Sequence, residues 1–547
     1  MDFAGIVAFT IALYVRPQEI ISALATMRPA FLTMIWAGGA VLMREGGVKP
    51  KDLVRTPHDW LALAYFGWVI FTNNDKWGTW KTIYNFVGFY FVIVQALTTM
   101  RRIYVFLYWW LGCILFIATM ALLSLIGIDP TGSAYVTAAS NGRLVLNTQL
   151  FNNANALGHS VIVAIPMIYF LMFWKRPVFV KEVGLALLPI PLYCVYRTES
   201  KGSFISGFMA IMATLTFGQK KWVQITTIFL GWTIGWSALA FLPRFGDLQR
   251  AGSDEAIQGR VEAFKFGKWA TETYKYGVGL YQFYPSFVAK EGDEIARASH
   301  SSYNQVSAEL GKGGLLLFIG LMYVCARTLM QAKPRNVLED RVRRTCFCLV
   351  VCFGVSSWMI DFAWRAAFFV MVALVAAFHR VLQARAPMET PVEELTEQQQ
   401  REYNPVGAMA ANPGERVAPI HPTQPALAGA GGGVIPGAAL AADPPEVVNR
   451  DKAQVYVSHL KSVRGAGRRG QSGVSAVAPI APMSGGMGTQ TSNPYAPAVA
   501  DTDEELKSGS VSMPWTKLTW VDCVIMYYLM RLALYVREYA ITDLFAA

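Results

Sequence analysis

The chain is 547 residues long and 54% hydrophobic, with a formal charge of +11 and a mean hydropathy of +0.33. This excludes an ordinary soluble domain, because the apolar residues fall in blocks that approach the roughly 20 residues needed to cross a bilayer. It also excludes nucleic-acid binding, since the lysines and arginines sit in short loops between apolar blocks and form no basic folded patch. The 7 cysteines are odd in number and mostly lie inside apolar blocks, as Cys113, Cys194, Cys325 and Cys352 do, so no disulfide framework is implied.

The opening segment, MDFAGIVAFTIALYVRPQ, lacks a basic n-region and a small-residue cleavage site, and reads as a retained helix. Apolar blocks fall at 1–15, 29–43, 59–71, 82–98, 103–127, 151–174, 183–196, 203–217, 222–242, 302–330, 345–360 and 363–383. They predict an all-α, polytopic transmembrane bundle of about twelve spans, some of them short. Basic loops at 43–55, 100–102, 174–181, 218–221 and 333–344 follow every second block, which assigns them and the N-terminus to the cytoplasm. On the opposite side, between spans nine and ten, lies a large loop, 243–301, expected to be periplasmic. Its aromatics, Trp269, Tyr274, Tyr276, Tyr281, Phe283 and Tyr284, either stack on sugars or sit at the membrane interface. Cys346, Cys348 and Cys352 share one predicted helix and read as packing residues. Asp361 and Arg365 fit a short outer turn between the last two spans.

The transmembrane domain thus occupies 1–385. From 386 to 512 the composition turns to Pro, Gly, Ala, Gln and Glu, as in ALAGAGGGVIPGAALAADPP, which predicts a disordered cytoplasmic tail. Residues 513–547 become apolar again. Asp522 and Arg531 are expensive in a lone spanning helix, which favours an amphipathic helix lying on the membrane or docked on the bundle, with a thirteenth span as the alternative.

Three polar features share the predicted outer face: RTESKGSF around Arg197 and Lys201, QGRVEAFKFGKW around Arg260, and His300. A helix starting near Arg260 aligns Arg260, Phe264 and Gly267, with Gly267 leaving room for an approaching ligand. Arginine offers paired donors to phosphate and lysine a point charge, so Arg260 and Lys201 together suit a pyrophosphate. Arg260 also has Glu262 and Asp254 as available salt-bridge partners, and Lys201 and Arg197 are placed to snorkel. His300 stands beside Ser301 and Ser302, either of which caps the next helix, so it reads as a capping histidine or as a base that needs partners brought by the fold. His159, without acidic or histidine neighbours, reads as packed or bonded to a neighbouring helix. No metal-ligand spacing, phosphate loop, dinucleotide fingerprint or nucleophile elbow is present, so no metal and no cofactor is expected.

Four stretches, in order, resemble the bacterial O-antigen ligase and polysaccharide polymerase superfamily of membrane glycosyltransferases. FNNANALGHS (151–160) looks like its Asn-Ala-x-Gly segment, and TESKGSF (198–204) like its Ser-Arg-Gly segment. GRVEAFKFGKWATETYKYGVGLYQF (259–283) looks like its Arg, Trp, Gly-x-Gly-x-x-x-Phe loop. SHSSYNQVSAELGKGGLLLF (299–318) looks like its His-Asn-x-Tyr, Glu-x-Gly-x-x-Gly segment. The resemblance covers roughly 60 to 385. Lys201 replaces the usual arginine, losing the bidentate fork, and Ser301 replaces the asparagine after the histidine.

The resemblance implies an enzyme of the bacterial inner membrane, active on its periplasmic face. Its donor would be an undecaprenyl-pyrophosphate-linked glycan and its acceptor a glycan or lipid hydroxyl, with membrane lipids around it and no metal. It implies catalytic roles for His300 and Arg260, and substrate-binding roles for Lys201, Arg197, Tyr303 and Trp269. A polymerase extending a lipid-linked polysaccharide is the expected activity; a ligase to lipid or protein is the alternative, and a solute or bicarbonate transporter is the rival from another class. The tail offers a docking place for other polysaccharide-assembly proteins.

Overall fold

The computed structural model describes residues 1–239 apart from 25, 45, 46 and 49, then 255–292, 297–384 and 517–544. The expected tail at 386–512 lies outside the described residues. Among those described, the chain is helical throughout, without a strand. The apolar blocks, as far as they are described, fall on helices. They are α1 (Asp2–Tyr14), α2 (Pro29–Leu42), α3 (Pro57–Thr72), α4 (Lys76–Ala96), α5 (Met100–Leu123), α6 (Ala154–Phe173), α7 (Val178–Thr198), α8 (Lys201–Thr216) and α9 (Lys221–Leu239). After the large loop come α12 (Ser302–Gln331), α13 (Val337–Met359) and α14 (Ala366–Gln383), and the loop itself holds α10 (Glu255–Thr273) and α11 (Phe283–Glu291). The chain's last long helix is α15 (Trp520–Tyr539). Six of these, α5, α6, α7, α12, α13 and α14, are long and apolar enough to cross a membrane. The expected dozen blocks thus correspond to helices, but half of them fall short of a span by length or apolarity, α1 and α2 having only 13 and 14 residues.

Short polar residues start the helices where the sequence supplies them. Asp75, Thr99, Asn153, Ser200, Ser301 and Asn336 each accept a hydrogen bond from a first-turn amide of the helix that follows. Such caps satisfy donors that no helix can satisfy for itself. Thr56 with Asp59, and Thr519 with Asp522, form reciprocal capping boxes.

The basic loops meet at one end of the bundle. Arg44 and Arg102 both pair with Asp2, at 3.7 and 2.9 Å. Arg341 donates to the Lys175 carbonyl at 3.1 Å and lies over the Tyr104 ring, while Arg344 donates to the Phe217 carbonyl. These contacts join the loops that part the helices at 43–55, 100–102, 174–181, 218–221 and 333–344.

Near that end lies a buried ion pair that no sequence pattern announced. Asp59 on α3 takes the Arg380 guanidinium of α14 at 2.9 Å and the Tyr90 hydroxyl of α4 at 3.0 Å. It also accepts from the Thr56 amide and hydroxyl, both at 2.8 Å. Asp59 is fully buried. A buried carboxylate stripped of its cation costs roughly 3–5 kcal/mol. Arg380→Ala is therefore expected to lower the thermal unfolding temperature of the detergent-solubilised protein sharply, and Arg380→Lys less so.

At the other end, α10 and α11 build a small second core. Ala263, Phe266 and Ala270 of α10 close on Phe283 and Phe287 of α11 and Ala308 of α12, with Phe266 and Phe287 stacked at 4.7 Å. Burying such aromatic side chains stabilises by about 1.5–3 kcal/mol each, enough to hold a polar segment down on the bundle. The stretch between them, Tyr274–Gln282, is anchored to a break in α12. There Gly311 has φ 68 and ψ −171 inside the helix, which releases the preceding carbonyls from helical bonding. Val278 and Gly279 amides donate to Ala308 and Glu309 carbonyls, both at 2.9 Å, and the Trp68 indole donates to the Leu310 carbonyl at 3.0 Å. Gly277, at φ 79, lies so close to Glu309 and Leu310 that a Cβ would collide with their backbone. The two glycines resolve the same contact from opposite sides.

Candidate active site

The residues singled out from sequence come from five segments that meet at the end opposite the basic loops: the start of α6, the end of α7, the start of α8, α10, and the approach to α12 with the turn from Ile360 to Arg365. The chemistry starts with the serines around His300. Ser301 is the cap, its hydroxyl accepting from the Asn304 amide at 3.4 Å and donating to the Ser357 carbonyl at 3.2 Å. Ser302 donates through its amide and hydroxyl to the Ile360 carbonyl, at 3.0 and 2.8 Å, and its hydroxyl accepts from the Phe362 amide at 2.7 Å. These bonds rivet the head of α12 to the turn before α14.

His300 itself is held in the left-handed region at φ 49. A residue with a Cβ pays for that geometry, of order 1–3 kcal/mol, and such strain gathers at functional sites. Burial, and then the charge of Arg260, hold its imidazole down at a pKa of about 4. This lies well below the working pH, near which a general base is most effective. The imidazole is neutral at pH 7, ready to accept a proton but weakly basic.

Arg260 sits on the second turn of α10, and its charge is felt at His300. His159 is buried near the head of α6 and shares a 2.9 Å hydrogen bond through Nδ1 with the Ser356 hydroxyl of α13, the inter-helix bond expected of it. Its Nε2 faces α8: a Cβ at Gly202 would stand 2.9 Å from that atom. Lys201, half-buried, opens the 16-residue α8 next to Gly202. The head of α8 therefore comes against this imidazole at Gly202, the residue after Lys201. At the end of α7, Arg197 gives its carbonyl to the Leu144 amide at 2.9 Å, and its Nε is buried with no hydrogen-bond partner among the described residues.

Arg143 is a cation that sequence reasoning missed. It donates to the Thr198 carbonyl at 3.1 Å and to Asn155 at 2.8 Å, tying the end of α7 to the head of α6. No motif marks its loop; only the fold brings it beside Asn155.

Three further residues named from the sequence have their own surroundings. Tyr303, expected beside the acceptor, donates to the Gly354 carbonyl at 2.9 Å and packs on Trp358 at 4.7 Å, in the seam between α12 and α13. The room left by Gly267 is taken by Asn304 of α12, whose amide donates to the Ala263 carbonyl at 2.9 Å. Trp269 has Lys290 over its ring at 4.8 Å and Tyr274 against it at 5.6 Å. It borders a cleft of about 570 Å³, next to another of about 730 Å³ lined by Asn73, Asp75, Tyr274 and Gln282. Cys346, Cys348 and Cys352 are all buried in helix packing.

Glu309, quoted in a motif but given no role, is buried and bound by the Trp364 indole at 2.8 Å and Gln305 at 3.2 Å. Tyr281 is raised to about 12 by burial and by that carboxylate. Asp361, in the turn beside the site, is raised by burial, partly countered by Arg365. No family model, curated protein or solved structure matches the chain.

Proposed function

We propose that the chain is a membrane glycosyltransferase. In this reading it is a polysaccharide polymerase at the periplasmic face of the bacterial inner membrane, moving a glycan from undecaprenyl pyrophosphate to a hydroxyl of a lipid-linked glycan. The observation that supports it most is His300, held at φ 49 on the head of α12 by the bonds of Ser301 and Ser302 to the Ser357–Phe362 stretch, with the Arg260 charge acting on it. A glycosyl transfer with a pyrophosphate leaving group needs a proton acceptor at the nucleophile and positive charge at the leaving group. His300 serves the first need, Arg260 and Lys201 the second, with Arg197 as an additional donor.

The acceptor oxygen bonds to the anomeric carbon and gives its proton to His300. The bond from that carbon to the pyrophosphate oxygen breaks, and lipid pyrophosphate leaves with the electron pair. A single displacement inverts the anomeric centre. No metal takes part in this scheme.

The activity is tested with purified protein in liposomes supplied with lipid-linked glycan extracted from the host bacterium. The expected product is a longer lipid-linked glycan, formed equally in EDTA. Glycan moved onto another lipid or a protein makes the enzyme a ligase. Absence of transfer together with solute flux overturns the reading in favour of a transporter. The buried Asp59 does not favour that outcome, because five donor groups hold it in place.

A further inference from the structure

α15 lies along α12 in the opposite direction. Near its start, Asp522 pairs with Arg327 and takes the Tyr323 hydroxyl at 2.8 Å, both close to the end of α12. In its middle, Met526 packs on Gly320. Near its end, Arg537 donates to Ser307 at 3.0 Å, one turn from the head of α12, and to Thr271 of α10 at 3.1 Å. Lys268 of α10 pairs with Glu538 at 2.6 Å. Twenty helical residues rise about 30 Å, the thickness of a bilayer core.

We infer that α15 crosses the membrane beside α12, and that Arg537 is a positioning residue that seats α10 from the far end of that crossing. Asp522, Met526, Met530, Ala533 and Arg537 make its buried stripe, so the ionisable groups that enter the bundle lie at its two ends and are partnered. The opposite face exposes Val524, Ile525, Tyr528, Leu532, Tyr535 and Val536, as a lipid-facing surface does. Arg531 is the exception, exposed near mid-helix, and must reach along the helix towards an interface. The crossing stands on packing alone. The positioning role rests on the proposed function, because α10 carries Arg260.

The crossing is tested by side-specific labelling with a membrane-impermeant maleimide in a Cys523→Ser background, the other six cysteines being buried. Tyr539→Cys is expected to label from the same side as Lys275→Cys and from the opposite side to Gln219→Cys. A short bis-maleimide added from that side should join Lys268→Cys to Glu538→Cys. Labelling of Tyr539→Cys with Gln219→Cys, or neither label nor cross-link, overturns the crossing. Positioning is read from kinetics. Arg537→Ala should lower turnover per folded protein and move the acid limb of the rate upwards as Arg260 loosens from His300, and Arg537→Lys should restore both. Lost protein with unchanged turnover and pH profile overturns the positioning role and leaves the crossing to the labelling result.

Discussion

His300→Ala is expected to lower glycan transfer per folded enzyme by roughly 10²- to 10⁴-fold, the usual worth of a positioned general base, while donor binding is largely retained. The expectation rests on a neutral imidazole held in a left-handed backbone at the head of α12. Its pH dependence follows from the depressed pKa. The neutral form is the active one, so kcat/KM of the free enzyme should be flat above about pH 5 and fall below the pKa of about 4. In kcat the acid limb should lie at higher pH, because a bound pyrophosphate brings negative charge beside the ring and offsets the Arg260 field. A histidine that merely closes the loop predicts lost protein and unchanged turnover. Retention of more than about a tenth of wild-type turnover in the alanine variant excludes general-base catalysis of this size.

Arg260→Ala should lower turnover by about 10²- to 10³-fold, as removal of one donor to a developing oxyanion does. It should also weaken donor binding, because in the proposed scheme the guanidinium meets the pyrophosphate before and during reaction. The same substitution removes the smaller of the two causes that depress His300, burial being the larger, so the residual activity should show an acid limb shifted upwards. This shift separates a charge in the site from a helix that has lost its fold. Lys201→Ala should reduce transfer as well, and Lys201→Arg should retain it, since the arginine restores a fork as well as a charge. The readouts are initial rates on extracted lipid-linked glycan and a binding titration with the same donor. Wild-type rates in Arg260→Ala contradict the assignment.

The helices were legible because apolar runs and their polar caps are local signals. The block at 345–360, for instance, grew at its polar start to Val337 because Asn336 caps it there, a reach that hydropathy alone does not give. The large loop was less legible. α10 reads as polar because only one stripe of it is buried, and its partner α11 lies beyond a ten-residue neighbourhood, so neither looks apolar enough to announce a core. At the site, residue types could be nominated from spacing, but their companions could not. Arg143 reaches Asn155 only because α6 and α7 lie side by side. Tyr303 is adjacent to the serines in sequence, yet helix rotation turns its hydroxyl to Gly354. Gly267 showed that space was needed without showing that Asn304 would fill it.

The break at Gly311 bears on the order in which the molecule is assembled. The amides of Val278 and Gly279 have their acceptors on Ala308 and Glu309, which leave the ribosome about thirty residues later. Until α12 has entered and bent, the segment between α10 and α11 has no backbone partner to dock on, and Arg260 has no fixed place beside His300. The end of the bundle that carries the candidate site is thus finished after the helices that support it, and Thr271 and Ser307 receive their final contact only when Arg537, more than two hundred residues further on, arrives.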